Sequence, residues 1–298
     1  MQADADRLVI TGASGQLGRR TVEFALQKVA TGRLILVTRH PARLADFAAR
    51  GLDVRFGDFD DPQSLRAAFR GGRRMLLISA VDLVRRGEQH ANAIAAAMDA
   101  GIRHVIYTSM IAPEPPNPAA VAPSHFFTET TLRESGIHWT LLRNSLYADY
   151  QAPEARQAIA SGSFIHNRGA GRIAYVSRDD CAAVAAAVLA SAGHENVAYD
   201  ITGPELHDAA GLAALYGEIG RTPVEAVAVD DDRFIAGLLG SGEQDGHARY
   251  GAELVASFGR AIREGYLAKC TTTVAALTGR PATPLSTVLR EALKAPAP

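Results

Sequence analysis

The sequence predicts an α/β fold, in which helices cover both faces of a doubly wound parallel sheet. Apolar runs of strand length alternate with helical segments through the first half of the chain, which is the pattern of βαβ units. A glycine-rich turn joins the first of these strands to its helix. The 298 residues are 47% hydrophobic, which suffices for one large core and a smaller second lobe.

Six strands and five helices are predicted in the first half. The strands are expected at 7–11, 34–38, 53–56, 74–79, 104–109 and 138–143. The helices are expected at 16–29, 42–50, 62–69, 89–100 and 124–134. The third helix begins at Pro62, and Asp60 or Asp61 is expected to cap it. Because the strands are largely apolar and helices lie between them, both faces of the sheet should be covered.

The turn after the first strand carries three glycines at a spacing of three residues. In a βαβ unit this is where a dinucleotide pyrophosphate binds: Gly12 permits the tight turn, Gly15 lets a phosphate approach the backbone, and Gly18 lets the helix lie close to the strand. The alternative is a glycine-rich turn without a ligand. The candidate cofactor-binding residues here are Gly12, Ser14, Gly15, Gln16, Leu17 and Gly18.

The second half of the sequence is less regular. Helices are expected at 151–160, 179–192, 208–217, 231–239, 250–266, 274–277 and 286–293, with a strand at 197–202 and a mobile loop at 241–247. We expect residues 1–150 to form a Rossmann-type dinucleotide-binding domain and residues 151–298 to form mainly a smaller C-terminal substrate-binding lobe. Segments at about 173–202 are expected to return to the Rossmann sheet.

Five prolines crowd the segment at 113–123 after the fifth strand, so it cannot be a regular helix or a central strand. It is expected to be a loop over the carboxyl edge of the sheet, where ligands bind in such folds. Two roles stay open for it: a simple connector, or a wall or lid of a substrate site.

Composition excludes several classes of partner. The net charge of −1 offers no positive excess for nucleic acid. Cys181 and Cys270 form neither a metal-ligand pattern nor a disulfide framework. No apolar segment has the length that spans a bilayer, and no targeting segment is evident at the start. We therefore expect a cytoplasmic monomer or homodimer that acts on a small-molecule substrate and binds no membrane, nucleic acid or metal. The Ala- and Arg-rich composition suggests a bacterial gene.

The end of the second strand indicates which dinucleotide binds. An NAD-specific site places an acidic side chain there, about 20 residues after the glycines, whereas this sequence has Arg39 and no carboxylate. A guanidinium forms a charge-assisted fork with a 2′-phosphate, so NADPH is favoured over NADH unless Arg39 is merely solvated. Asp58 and Phe59 follow the third strand, where an adenine would lie, although Phe59 is equally a core candidate.

The fourth and fifth strands supply candidates for the nicotinamide end of the site. Ser79 and Ala80 are small enough for the backbone to pass beside the nicotinamide ribose. Thr108 and Ser109 offer hydroxyl groups at the next strand end. The alternative for each is a strand terminus that only bonds its own backbone.

These residues together resemble the atypical short-chain dehydrogenases of the NmrA-like family, in the branch of bacterial NAD(P)H:quinone oxidoreductases and triphenylmethane reductases. The resemblance is strong to about residue 202 and weaker beyond it. It is carried by the segments 11–18 (TGASGQLG), 38–41 (TRHP), 57–59 (GDF), 125–129 (HFFTE), 140–147 (TLLRNSLY) and 176–180 (VSRDD).

This sequence departs from ordinary short-chain dehydrogenases, which carry a Tyr-x-x-x-Lys pair. Val121 and His125 stand at the corresponding positions, so proton donation to an alcohol oxygen by the usual route is not expected. A quinone suits such a site, because its conjugated ring accepts hydride readily and the hydroquinone anion is delocalised. Binding both rings face to face would then supply most of the rate.

The resemblance implies an NADPH-dependent oxidoreductase acting on a quinone or extended aromatic substrate. His125, Asn144 and Tyr147 are the catalytic candidates: Asn144 and Tyr147 would orient the substrate carbonyl, and His125 would bond the ribose or relay a proton. Glu129 is expected to orient His125 or to tie its helix down. The acidic pair after Ser177 is expected to belong to a helix cap.

Two alternatives stay open. In the first, the chain is a reductase that supports oxygenation during aromatic polyketide synthesis, since a dihydroquinone reacts with oxygen. In the second, it is a redox sensor that binds dinucleotide without turnover, as in part of the NmrA-like family. The missing Tyr-x-x-x-Lys pair is compatible with each of them.

Overall fold

The computed structural model describes residues 6–240 and 246–294. Within these residues there are nine strands: β1 (Arg7–Ile10), β2 (Leu34–Thr38), β3 (Asp53–Phe56), β4 (Gly72–Leu77), β5 (His104–Met110), β6 (His138–Asn144), β7 (Ser163–His166), β8 (Val197–Ile201) and β9 (Glu225–Ala228). Seven of them form one parallel sheet in the order β3-β2-β1-β4-β5-β6-β8.

The described residues also form twelve α-helices. They are α1 (Gln16–Leu26), α2 (Ala45–Ala49), α3 (Pro62–Phe69), α4 (Arg86–Asp99), α5 (Ala122–Glu134), α6 (Gln151–Ser161), α7 (Arg178–Ala190), α8 (Ala209–Gly220), α9 (Asp231–Leu239), α10 (Gly246–Arg263), α11 (Thr273–Thr278) and α12 (Leu285–Lys294). No described helix is long and apolar enough to cross a membrane.

Helices cover both faces of the sheet, which confirms the predicted Rossmann-type doubly wound fold. Strand side chains alternate between the faces: Leu8 and Ile10 pack in a core with α1 and α7, and Val9 packs in a second core with α3, α4 and α5. The strand order reverses between β1 and β4. In this class of fold a ligand binds outside the carboxyl ends of the strands at that reversal.

A third core holds the C-terminal elements together and includes residues of α6, α8, α10 and α12. Beside it, β7 pairs with β9 in a parallel two-stranded sheet that was not predicted. β8 joins the main sheet at β6, and α7 packs on α1. The division of the chain at residue 150 stays a prediction.

Several predicted boundaries were wrong. The helix expected at 42–50 is a 3₁₀ turn, Pro41–Leu44, followed by the short α2. β4 ends at Leu77, two residues before its predicted end. Of the loop predicted at 241–247, residues 241–245 lie outside the described residues, and 246–247 already belong to α10.

Candidate functional site

A cavity of about 400 Å³ lies where β1, β2, β3 and β4 end. Eight of the predicted cofactor-binding residues line it: Gly12, Ser14, Gly15, Arg39, Asp58, Phe59, Ser79 and Ala80. These residues come from four separate strand ends, which the fold brings to one edge. The cavity therefore has the position at which the sequence predicts the adenosine and phosphates of a dinucleotide, and it extends to Ser79 and Ala80, which were predicted beside the nicotinamide ribose.

The glycine turn has the geometry that a phosphate cradle needs. Gly12 has a φ of +60°, which side chains rarely adopt. A Cβ on Gly18 would lie 2.3 Å from the carbonyl oxygen of Gly12, so only glycine lets α1 start so close to the turn. Gly15 caps α1 without a side chain, and no acidic residue lies in the first helical turn.

The beginning of α1 is therefore free to bind an anion. The first N–H groups of a helix have no partner within the helix, and its N-terminus carries a partial positive charge. These N–H groups belong to Gln16, Leu17 and Gly18, which follow the cavity-lining Gly15 and do not themselves line the cavity. Ser14 Oγ lies 2.7 Å from Thr38 Oγ1, which joins the turn to the end of β2.

The end of β2 presents two free cations to the same cavity. Arg39 and Arg43 both line it and are exposed, and neither side chain forms a hydrogen bond or ion pair with a described residue. No acidic residue occupies this strand end. Arg43 was not predicted from the sequence; its signal is a second arginine four residues after Arg39, on the following 3₁₀ turn.

The end of β3, next to β2 in the sheet, also lines the cavity. Asp58 Oδ1 accepts a hydrogen bond of 3.1 Å from the backbone N–H of Asp60, so one carboxylate oxygen stabilises the turn. Phe59 is half-buried and meets the His90 ring edge-on, with 6.1 Å between ring centres. Both residues line the cavity, which is compatible with the predicted contact with an adenine. That contact itself stays a prediction.

A buried network holds the backbone after β4. His90 Nε2 accepts from the Ala80 N–H at 2.9 Å, and Arg86 Nε donates to the Ala80 carbonyl at 2.7 Å. Behind them, His90 Nδ1 lies 2.9 Å from Thr128 Oγ1, and Arg86 Nη1 lies 3.2 Å from His125 Nε2. Side chains of α4 and α5 thus position a cavity-lining peptide group. Arg86 and His90 were not predicted from the sequence, because only helix packing brings them to Ala80.

Both histidines of this network are neutral. Burial, reinforced by the positive charge of Arg86, lowers the pKa of His90 to about 3 and that of His125 well below its ordinary value. Since Arg86 donates to His125 Nε2, the ring proton is on Nδ1, which lies 2.7 Å from the Tyr107 hydroxyl. Both ring nitrogens of His125 therefore have protein partners, and His125 does not line this cavity.

The hydroxyl groups at the end of β5 also have protein partners. Thr108 Oγ1 accepts from the Ser79 N–H at 2.9 Å, and Ser109 Oγ donates to the buried Glu129 at 2.7 Å. Glu129 also accepts from Arg143 at 2.9 Å, so it ties α5 to β5 and β6. Of the two roles expected for Glu129, the contacts agree with tying its helix down; among the described residues Glu129 forms no hydrogen bond with His125.

A second cluster of candidates lies at the end of β6. Asn144 Nδ2 donates to the Tyr147 hydroxyl at 3.3 Å. Asn144 Oδ1 and the neighbouring Ser145 Oγ are buried and have no hydrogen-bond partner among the described residues. Unpartnered buried polar atoms are unusual in proteins, so this strand end fits a polar ligand group such as a carboxamide. The sequence analysis missed Ser145.

Tyr147 is held in its protonated form. Burial raises the pKa of Tyr147 well above its ordinary value. The guanidinium of Arg178 lies 5.5 Å from the ring centre of Tyr147 and bonds Asp149 at 3.0 Å. As predicted, the Ser177 side chain caps α7, with its oxygen 3.0 Å from the Asp180 N–H.

A larger cavity, of about 740 Å³, opens beside Tyr147 within the C-terminal elements. Its walls come from α6, β7, α9, α10 and the segments after β6 and β7. It shares no lining residue with the first cavity, and none of the described residues at 111–121 lines either of them. Six of its lining residues are aromatic: Tyr147, Tyr150, Phe164, Tyr175, Phe234 and Phe258. Within residues 6–240 and 246–294, no cluster of His, Cys, Asp or Glu is placed to hold a metal.

The site thus brings most of the predicted residues to one edge of the sheet, in two parts. Asn144 and Tyr147 contact each other at the end of β6, and Tyr147 lines the larger cavity. Thr108, Ser109 and His125 are buried and line neither cavity, and their side chains form hydrogen bonds with other protein groups. A Rossmann fold with a free helix N-terminus and a basic strand end defines an NAD(P)H-binding protein.

Comparisons with known proteins agree with this class. The NAD(P)H-binding family matches residues 12–192. Quinone oxidoreductase 2 of Escherichia coli (strain K12) is 34% identical over 94% of this chain and 96% of its own length. The crystal structure of an NADPH-dependent quinone oxidoreductase from Escherichia coli complexed with NADPH has a TM-score of 0.91 at 33% identity, covering 96% of this chain and 99% of that one.

A second solved structure, the Citrobacter sp. triphenylmethane reductase complexed with NADP(H), has a TM-score of 0.88 at 31% identity and covers 96% of this chain and 99% of that one. The chain belongs to the NAD(P)H-binding family, in the NmrA-like branch of the atypical short-chain dehydrogenases/reductases.

Proposed function

We infer that the protein is an NADPH-dependent reductase of quinones or extended aromatic substrates. The observation that carries this inference is the position of Tyr147: the residue that Asn144 orients at the end of β6 is also a wall of a cavity of about 740 Å³ lined by aromatic rings. The relatives named as quinone oxidoreductase and triphenylmethane reductase support the same substrate class.

The first cavity suits NADPH. The N–H groups of α1 bind the pyrophosphate, and Arg39 and Arg43 are free for a 2′-phosphate that NADH lacks. The unpartnered Asn144 Oδ1 and Ser145 Oγ supply polar contacts for a carboxamide. When bound, NADPH supplies the hydride for the reduction.

The protein groups have two tasks at the substrate. Aromatic side chains hold a flat ring and exclude water, which favours a reactive orientation. Tyr147 remains protonated, and because Asn144 donates to its oxygen, the Tyr147 hydrogen is free to donate to a substrate oxygen. This hydrogen bond stabilises the negative charge that develops on that oxygen.

His125 acts as a positioning residue in this proposal. Its Nε2 holds Arg86, whose Nε holds the Ala80 carbonyl at the cavity wall. His125 lines neither cavity, and its ring nitrogens bond Arg86 and Tyr107, so the ring contacts neither the cofactor cavity nor the substrate cavity. We therefore assign His125 to the support of the cofactor cavity.

Steady-state oxidation of NADPH, followed by its absorbance with a panel of quinones and triphenylmethane dyes, tests the proposal. We expect turnover with at least one planar quinone and a preference for NADPH over NADH. Tight NADPH binding without turnover across the panel would instead support the redox-sensor alternative.

A further inference from the structure

Two residues that line the larger cavity each carry a buried hydrogen-bond donor that no described residue satisfies. Arg168 Nη1 and Tyr175 Oη both lack a hydrogen-bond partner among the described residues. Arg168 is only 8% exposed and Tyr175 only 2%, and both line the cavity. Buried polar groups in folded proteins are normally paired, so two unpaired donors on residues that line one cavity indicate a ligand group that accepts their hydrogen bonds.

The position of Arg168 is built by the surrounding residues. Arg168 Nη2 donates to Glu154 at 2.7 Å, and Glu154 accepts a second bond of 3.0 Å from the Tyr216 hydroxyl. The guanidinium carbon lies 5.1 Å from the centre of the Phe164 ring. Glu154 thus balances the buried charge and fixes one edge of the guanidinium, while Nη1 on the other edge stays available.

Chemistry restricts what these two groups bind. A guanidinium has donors and no acceptor, and Tyr175, with its hydrogen unused, is a donor as well. The complementary group is therefore an acceptor oxygen, either a carbonyl or a carboxylate. The aromatic residues Phe164, Phe234 and Phe258 on the same walls suit the ring that carries it.

We propose that Arg168 and Tyr175 form a subsite for an acceptor oxygen on an aromatic substrate, in addition to the oxygen that Tyr147 meets. This rests on the proposed reductase function and narrows its substrates to quinones that carry a carbonyl or carboxylate besides the two quinone oxygens. A quinone bearing a further carbonyl or carboxylate occupies the cavity better than an unsubstituted one.

Calorimetric titration in the presence of NADP⁺ tests the subsite without turnover. The probes are 2-naphthoate, 2-acetylnaphthalene and naphthalene, and the variants are Tyr175→Phe and Arg168→Lys, which keeps a positive charge beside Glu154. Tyr199→Phe is the matched control, because Tyr199 bonds His194 and does not line the cavity.

We expect Tyr175→Phe and Arg168→Lys to weaken binding of 2-naphthoate, 2-acetylnaphthalene or both about tenfold, the value of one hydrogen bond, and to leave naphthalene binding unchanged. A response of 2-naphthoate alone identifies the oxygen as a carboxylate. Because the Tyr175 hydroxyl has no described protein partner, Tyr175→Phe should not lower Tm.

Equal binding of all three probes by the wild type and both variants would overturn the subsite, even if quinones are reduced. If the wild type binds 2-naphthoate or 2-acetylnaphthalene more tightly than naphthalene and the variants do not, the subsite is supported even if no quinone is reduced. The two outcomes separate the subsite from the proposed reductase activity.

Discussion

Replacing Gly18 by alanine tests whether α1 must lie against the glycine turn. The new Cβ would lie 2.3 Å from the Gly12 carbonyl oxygen and 2.8 Å from Ala13 Cα, where ordinary contact begins at 3.4 Å. Both neighbours are backbone atoms, so no side-chain rotation relieves the clash. α1 must move away from the turn by about 1 Å, and overpacking of this kind costs about 1–3 kcal/mol of stability.

The same movement takes the first N–H groups of α1 away from a bound pyrophosphate. A hydrogen bond to a charged group contributes about 1.5–3 kcal/mol, so losing one weakens NADPH binding about 10–100-fold. NADPH titration and urea unfolding measure the two effects. Gly251→Ala is the control, because its Cβ meets no atom within 4 Å in α10; it should gain about 1 kcal/mol of stability and bind NADPH normally.

Wild-type stability together with wild-type NADPH affinity in Gly18→Ala would refute this account of the turn. A loss of stability with unchanged NADPH affinity would keep the packing argument and remove the phosphate site from α1.

Three further predictions concern the cofactor, the buried histidine and the substrate. Arg39→Ala should weaken NADPH binding about 10–100-fold and leave NADH binding unchanged; equal losses in fluorescence titrations would reject the 2′-phosphate assignment. The pKa of His90 is lowered to about 3 in the folded protein and is about 6.5 when unfolded. The folded protein therefore resists protonation of His90, which costs no free energy of unfolding above pH 6.5 and an increasing amount as the pH falls towards 3. Between pH 7 and pH 5 this loss is about 2 kcal/mol. His90→Gln should remove that part of the pH dependence in urea unfolding, and an unchanged slope would contradict it. Tyr147→Phe should lower kcat for a quinone about 10–100-fold with little change in KM, whereas wild-type kcat would remove Tyr147 from the reaction.

The main sheet was predictable because its signals are local. Each buried strand is a short apolar run between helical segments, and the predicted helix at Pro62–Phe69 has the expected N-cap, Asp61. β7 and β9 were missed because each has four residues and they pair across about 60 intervening residues. No local pattern marks such a pairing.

The candidate site divides in the same way. The glycine turn and Arg39 are readable because βαβ geometry fixes their places relative to the strands. The orientation of His125 could not be predicted from the sequence, because it depends on Arg86. Arg86 lies 39 residues earlier and is brought close by the packing of α4 against α5. The resemblance to a family supplied the position of His125, and packing determined which way its ring nitrogens point.

The crystal structure of the protein with NADP⁺ and a planar quinone tests the central claim most directly. We expect the 2′-phosphate beside Arg39, the quinone ring in the cavity that Tyr147 lines, and Tyr147 Oη within about 2.6–3.2 Å of a quinone oxygen. A quinone bound outside that cavity, or a 2′-phosphate turned away from Arg39, would contradict it.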